Sequence, residues 1–147
     1  MLVKQILSLK GPAGSNVVTI PSTAPVGEAV KLLAEKRIGA LVVSDDGRTV
    51  AGILSERDIV RELSKRGASV LTDPVSGLMT SKVSTCTPGE DTRVVLERMT
   101  AGRFRHMPVA GKDGEMLGLV SIGDAVSARL NELAAEKEAL TGMIMGN

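Results

Sequence analysis

Two stretches of the chain place the same polar side chains at the same spacing. Residues 50–63 read VAGILSERDIVREL and residues 117–130 read LGLVSIGDAVSARL. Each has a Gly, two apolar residues, a Ser, two variable residues and an Asp, which sets Ser55 before Asp58 and Ser121 before Asp124. A strand that runs into a helix at such a point leaves backbone N–H groups free at the helix start. Those groups and the helix dipole favour an anion, typically a phosphate. The Ser adds a hydroxyl, and an Asp one turn in can accept two hydrogen bonds from a vicinal diol such as ribose offers. Together they would hold a ribose-phosphate. Ser-x-x-Asp is also an ordinary capping box, with the Ser as N-cap and the Asp at N3. The two readings are compatible, since an unoccupied site can cap its own helix.

The variable pair differs between the copies. In the first it is Glu56-Arg57, and Arg57 could pair with a phosphate or remain a solvated charge beside Glu56. In the second it is Ile122-Gly123, which gives room for close backbone approach but no charge. Positive charge there must come from elsewhere, and Arg103 and Arg105 of RFRH (103–106), with Lys82, are the candidates. His106 is the only histidine; it either contacts a ligand or packs at a strand end, and it has no partner set for a metal.

Other chemistries find less support. Cys86 is the only cysteine, so no internal disulfide and no multi-cysteine metal site can form. Ser, His and Asp are present, but there is no Gly-x-Ser-x-Gly elbow and no pair of carboxylates set for acid–base work, so the chain is not expected to be an enzyme. The net charge of +1 and a single aromatic residue, Phe104, argue against a nucleic-acid binder. Any flat ligand must lie between aliphatic side chains. The opening MLVKQILSLKG is too short and too polar for a signal peptide or a membrane span, which predicts a cytoplasmic protein with no membrane partner.

The elements that must position these residues repeat as well. Gly52 and Gly118, Ser55 and Ser121, and Asp58 and Asp124 are each 66 residues apart. Each half reads β-α-β-β-α. A short β-run (17–20; 82–86) leads through a Pro turn into an amphipathic helix (26–37; 92–103), marked by Val26, Ala29, Val30 and Leu33 in one half and by Thr92, Val94, Val95 and Met99 in the other. Two strands follow (40–44 and 50–55; 106–110 and 116–121), joined by the turns Asp46-Gly47 and Asp113-Gly114. The last helix starts at Ser-x-x-Asp.

One half alone would expose too much apolar surface, so two halves should pack as a pseudo-twofold pair, an α+β fold of α/β-type repeats. Residues 64–73 link the halves, and PVSGLMT (74–80) makes a short helical turn before the second; VKQIL (3–7) is expected to play the same part for the first. The helix after Asp124 is longer than the repeat needs. Its stripe of Val126, Leu130, Leu133, Leu140 and Ile144 predicts packing across the pair or on a partner chain.

GILSERD (52–58), GLVSIGD (118–124), LMTSKVSTCTP (78–88) and RHMPV (105–109) together resemble a tandem pair of cystathionine-β-synthase (CBS) domains. The likeness runs from about residue 3 to about residue 133 and leaves no separate catalytic domain. It divides the chain into unit 1 (1–68), unit 2 (69–134) and a C-terminal helix extension (135–147). The resemblance implies a regulatory sensor, with two clefts that bind adenine nucleotides: AMP, ADP, ATP, NAD(H) or S-adenosylmethionine. It implies no catalytic cofactor, a homodimer built as a flat four-unit disc, and an effector protein that receives the signal.

The resemblance also places residues. The backbone near Pro108 would meet the adenine edge, with Met107 and Val83 as apolar walls. A second cleft of Lys82, Val83, Thr85, Arg105, His106, Met107, Pro108, Ser121 and Asp124 is expected to bind better than a first cleft of Val18, Ile20, Ala40, Ser55, Arg57 and Asp58. The alternative is an interaction or oligomerisation module that binds no ligand.

Overall fold

A computed structural model describes residues 1–15 and 17–144. The chain runs α1 (Val3–Ser15), β1 (Thr19–Ile20), α2 (Val26–Lys36), β2 (Ala40–Val43), β3 (Gly52–Ser55) and α3 (Glu56–Arg66). Two short 3₁₀ turns, Gly67–Thr72 and Val75–Gly77, lead to α4 (Thr92–Gly102), β4 (His106–Ala110), β5 (Met116–Ser121) and α5 (Ile122–Ile144). The two helices that open the halves bury matching faces: Val26, Ala29 and Leu33 in α2, Thr92, Val95 and Met99 in α4. Val30 and Val94, expected on those faces, lie outside them and stay exposed. Each helix stops on an arginine in the left-handed region, Arg37 (φ 54°) and Arg103 (φ 56°), a place glycine more often fills.

The sheets are small and unequal. In the first half β1 pairs parallel with β2, and β2 pairs antiparallel with β3, with Ala40 opposite Ser55. In the second half only β4 and β5 pair, with His106 opposite Ser121. The expected strand over 82–86 is reduced to one parallel bridge, Cys86 with Val109. Pro108 explains the loss. In the first half the Val42 N–H donates to the Val18 carbonyl (3.3 Å) and the Ser44 N–H to the Ile20 carbonyl (3.0 Å). The second bond has its counterpart, from Ala110 to Cys86 (2.8 Å). The first has none, because the residue 66 positions after Val42 is Pro108, which carries no N–H.

The segment that precedes each half packs on the other half. Val3 and Ile6 of α1 are buried with Cys86, Val95, Met99, Met107, Val109 and Val120 of the second half. Val70, Val75 and Leu78 are buried with Ile20, Val26, Leu41 and Leu54 of the first. Backbone bonds fix both docks in the same pattern. Val3 donates to Glu90 (3.0 Å) and Thr92 to Met1 (2.9 Å); Val75 donates to Ala24 (2.8 Å) and Val26 to Asp73 (2.9 Å). VKQIL is thus helical as expected, but it opens a longer helix and serves the second half's core.

The stripe on α5 does not pack across the pair. Ala125 and Ala128 face the body, and their small side chains bring the helix close. Val126, Leu130, Leu133, Leu140 and Ile144 lie on the other side and are exposed, Leu130 at 60%. Residues 145–147 of the expected extension lie outside the described residues. Among the described residues no helix is long and apolar enough to cross a membrane.

Candidate functional site

Both Ser-x-x-Asp segments fold as capping boxes. The Asp58 N–H donates to Ser55 Oγ (3.2 Å), and Asp58 Oδ2 accepts from the Ser55 N–H (2.9 Å) and hydroxyl (3.0 Å). The Asp124 N–H donates to Ser121 Oγ (3.1 Å), and Asp124 Oδ2 accepts from the Ser121 N–H (2.9 Å). The next amide is used too. Glu56 donates to the Gly39 carbonyl (2.9 Å) and Ile122 to that of Arg105 (2.7 Å). The bare N–H cradle read from the pattern is therefore narrower than expected, and side chains must supply more of any phosphate site.

The side chains are there. A cleft of about 730 Å³ opens between the halves and brings together Ser55, Arg57, Asp58, Lys82, Val83, Arg105, His106 and Ser121 from the expected set. Arg57, Arg61, Lys82, Arg103 and Arg105 line it against the two carboxylates of Glu56 and Asp58. This grouping differs from the expected one, because Lys82 and Val83 share the cleft with Asp58. Thr80 explains why: it forms a bridge to Ile53 on β3, so the chain after residue 80 runs along the first junction.

Gly52 makes that approach possible. A Cβ there would sit 2.6 Å from Met79 Sδ and 2.9 Å from the Thr80 carbonyl oxygen. Thr80, Ser84 and Arg61 were not singled out from the sequence, and Glu56 entered only as the charge beside Arg57. For Thr80 and Ser84 the available signal was the phrase LMTSKVSTCTP, which contains both.

The remaining expected residues lie elsewhere. Ile20, Ala40 and Met107 are buried in the two cores rather than set on the cleft wall. Pro108 faces Leu119 in the β4–β5 ladder, the Thr85 carbonyl accepts from Arg98 Nη2 (2.8 Å), and the Val18 carbonyl serves β2. Asp124 is not on the cleft wall. Its Oδ2 is bound by Lys10 Nζ at 2.9 Å. Burial opposes its ionisation, but the Ser121 amide and the Lys10 ammonium outweigh that and hold its carboxyl below the usual range.

His106 sits where the halves meet, and a Cβ on Gly39 would lie 3.6 Å from its Cε1. Burial pushes its pKa down against the pull of Asp124 and Glu56, while Lys10 and Arg105 add to the downward push. Cys86 is buried, and burial pushes its thiol up to about 11, which leaves it an inert core residue. Among the described residues no group of three or more His, Cys, Asp or Glu could hold a metal ion.

The repeated junctions agree with a comparison of the sequence against family models. The CBS domain model matches twice, over residues 5–65 and 75–131. The chain belongs to the CBS domain family.

Among its relatives is the mitochondrial CBS domain-containing protein CBSX3 of Arabidopsis thaliana, 39% identical over 125 residues. That match covers 82% of this chain but 60% of the plant protein. The chain spans only 25% of a further relative from the same plant, CBSCBSPB1. Among solved structures, a CBS-domain protein of Agrobacterium tumefaciens is 42% identical with a TM-score of 0.82, covering 88% of this chain and 99% of that one. A CBS domain protein of Pyrobaculum aerophilum, solved in complex with AMP, is 29% identical with a TM-score of 0.76, covering 92% of this chain and 99% of that one. Two paired CBS units are thus the fold of this chain.

Proposed function

We propose that this CBS pair is a regulatory sensor of adenine nucleotides and that its ligand sits in the cleft at Asp58. One observation carries the reading: five cationic side chains converge with Asp58 in a single cleft between the halves. Asp58 takes the ribose hydroxyls. Arg61 Nη2 now lies 2.8 Å from Asp58 Oδ1, and its side chain, 56% exposed, can turn to the phosphate when the diol arrives. Arg57, Lys82 and Arg105 hold phosphate oxygens, and Val83 and Ile53 meet the base. Phe104 is the one aromatic residue of the chain and also lines the cleft. The AMP complex of the Pyrobaculum relative supports the ligand class. AMP, ADP, ATP and NAD(H) all carry the ribose and phosphate this site would read.

The role is regulatory, not catalytic. Binding favours one arrangement of the two halves to the extent that the ligand binds that arrangement better. The signal passes to an effector protein or through a homodimer in the cytoplasm. A second reading rests on the exposed stripe Val126–Ile144 of α5, which would suit an interaction module that needs no ligand.

A thermal-melt panel separates the two. AMP, ADP, ATP, NAD and NADH are compared with GMP as control. A ligand at 100 times its Kd adds about 2.7 kcal/mol to native stability, a shift of several degrees. A shift with an adenine ligand and none with GMP supports the sensor. No shift with any of them rejects it and leaves the interaction module.

A further inference from the structure

We infer that Lys10 is an internal ligand of the second junction, so that each chain takes one adenine nucleotide, at Asp58, and not two. The inference rests on the nucleotide reading above and specifies its stoichiometry. At the second junction, where a ribose diol would have to bind Asp124, the Lys10 ammonium already does. It donates to Asp124 Oδ2 (2.9 Å) and to the Leu119 carbonyl (2.9 Å), across 114 residues of sequence in the first case. An ammonium held by a carboxylate and a carbonyl satisfies the groups a ligand would otherwise satisfy.

Asp58 also has a cationic partner, so the difference lies in how each partner is held. Arg61 stands one turn further along Asp58's own helix, 56% exposed, with no second acceptor among the described residues. A ligand that displaces it disturbs nothing else, and Arg61 stays on the cleft wall. Lys10 is 31% exposed and stands at the end of a helical run that breaks at Gly11 (φ 71°, ψ −174°). That run is anchored by Val3 and Ile6 in the core and by Leu7, whose Cδ2 lies 2.6 Å from where a Cβ on Gly118 would stand. To free Asp124, a ligand must break both Lys10 bonds and gains no cation in return. The sequence agrees: 66 residues after Arg61 stands Ser127, so the second junction has no arginine of its own at that place.

Titration calorimetry with AMP tests this on the whole protein. The wild type should bind one AMP per chain. Lys10→Met, which keeps the stem and removes the charge, should bind two, and adding Asp124→Asn to it should restore one. Two AMP per chain in the wild type, or one in Lys10→Met, overturns the inference and leaves the nucleotide reading in place. No binding of AMP, ADP, ATP, NAD or NADH by either protein overturns both.

Acetylation of Lys10 in the wild type, followed by mass spectrometry, is a second measurement that does not depend on the variant folding. Saturating AMP should leave the labelling rate unchanged. A rate raised severalfold by AMP means the ligand evicts Lys10 and overturns the inference.

Discussion

The two junctions share a backbone and differ in what reaches their carboxylates. At both, a strand ends in Ser, the Ser and Asp cap the same helix turn, and the next amide is tied to the neighbouring strand. At both, a glycine three residues before the Ser admits the segment that crosses over from the other half: Met79 and Thr80 over Gly52, Leu7 over Gly118. The crossing segments diverge after that contact. One extends past Thr80 and carries Lys82 into the cleft; the other stays helical to Lys10, whose ammonium closes on Asp124. A duplicated motif therefore reproduces the cap and the docking of its neighbour. Which copy keeps its carboxylate on the cleft wall is decided by side chains that the motif does not contain.

The largest effect that separates the junctions should come from their acids. Asp58→Asn removes a charged acceptor, and hydrogen bonds to charged groups are each worth about 1.5–3 kcal/mol. AMP affinity is expected to fall by about 10- to 100-fold, since 1.4 kcal/mol is a factor of ten. The loss should exceed that of Asp124→Asn by at least about tenfold. Calorimetry on the two single variants reads this directly. Equal losses would mean that both junctions carry ligand and that the asymmetry drawn from Lys10 is wrong.

A smaller effect should separate the glycines. A methyl group at Gly52 meets the Thr80 backbone oxygen at 2.9 Å as well as Met79 Sδ at 2.6 Å, and backbone cannot turn aside. Gly52→Ala should cost about 1–3 kcal/mol in urea unfolding, the range for overpacking a filled site. At Gly118 the contact is the end of the flexible Leu7 side chain, which can rotate. Gly118→Ala should cost less than half as much. It should also loosen the α1 dock, and with it the grip of Lys10.

Much of this is legible in the sequence. The repeat, the helix over Val26–Lys36, the turn glycines Gly47 and Gly114, and both capping boxes follow from local spacing and turn chemistry, which act over a few residues. The exchange of opening segments was not legible. Val3 and Val75 are apolar residues that fit either core, and periodicity does not say which half a helix will cover. Pro108 stood in plain view, yet its cost to the 82–86 strand shows only when the parallel partner of β4 is known. Lys10 had no local signal at all, because its meaning depends on a carboxylate 114 residues away. That Lys82 shares a cleft with Asp58 as well as with Ser121 is set by the Thr80–Ile53 bridge, another contact between residues distant in sequence.

The smallest effect concerns the histidine between the junctions. His106 has a pKa below the 6.5 usual for an imidazole, chiefly because it is buried, with Asp124 and Glu56 offsetting part of that push. The unfolded chain therefore takes up this proton first as pH falls, near 6.5, while the folded ring stays neutral. Stability is lost from there downward until the folded ring is protonated as well. His106→Gln should flatten that decline between pH 7 and pH 5 in a series of thermal melts, by a modest amount because the two acids partly cancel the cost of burial. Lys10 is one of the charges that push the ring down, so Lys10→Met should make the decline shallower than in the wild type. A decline that is identical in all three proteins would show that His106 does not feel the second junction, and that the Lys10 ammonium is not held where it neutralises Asp124.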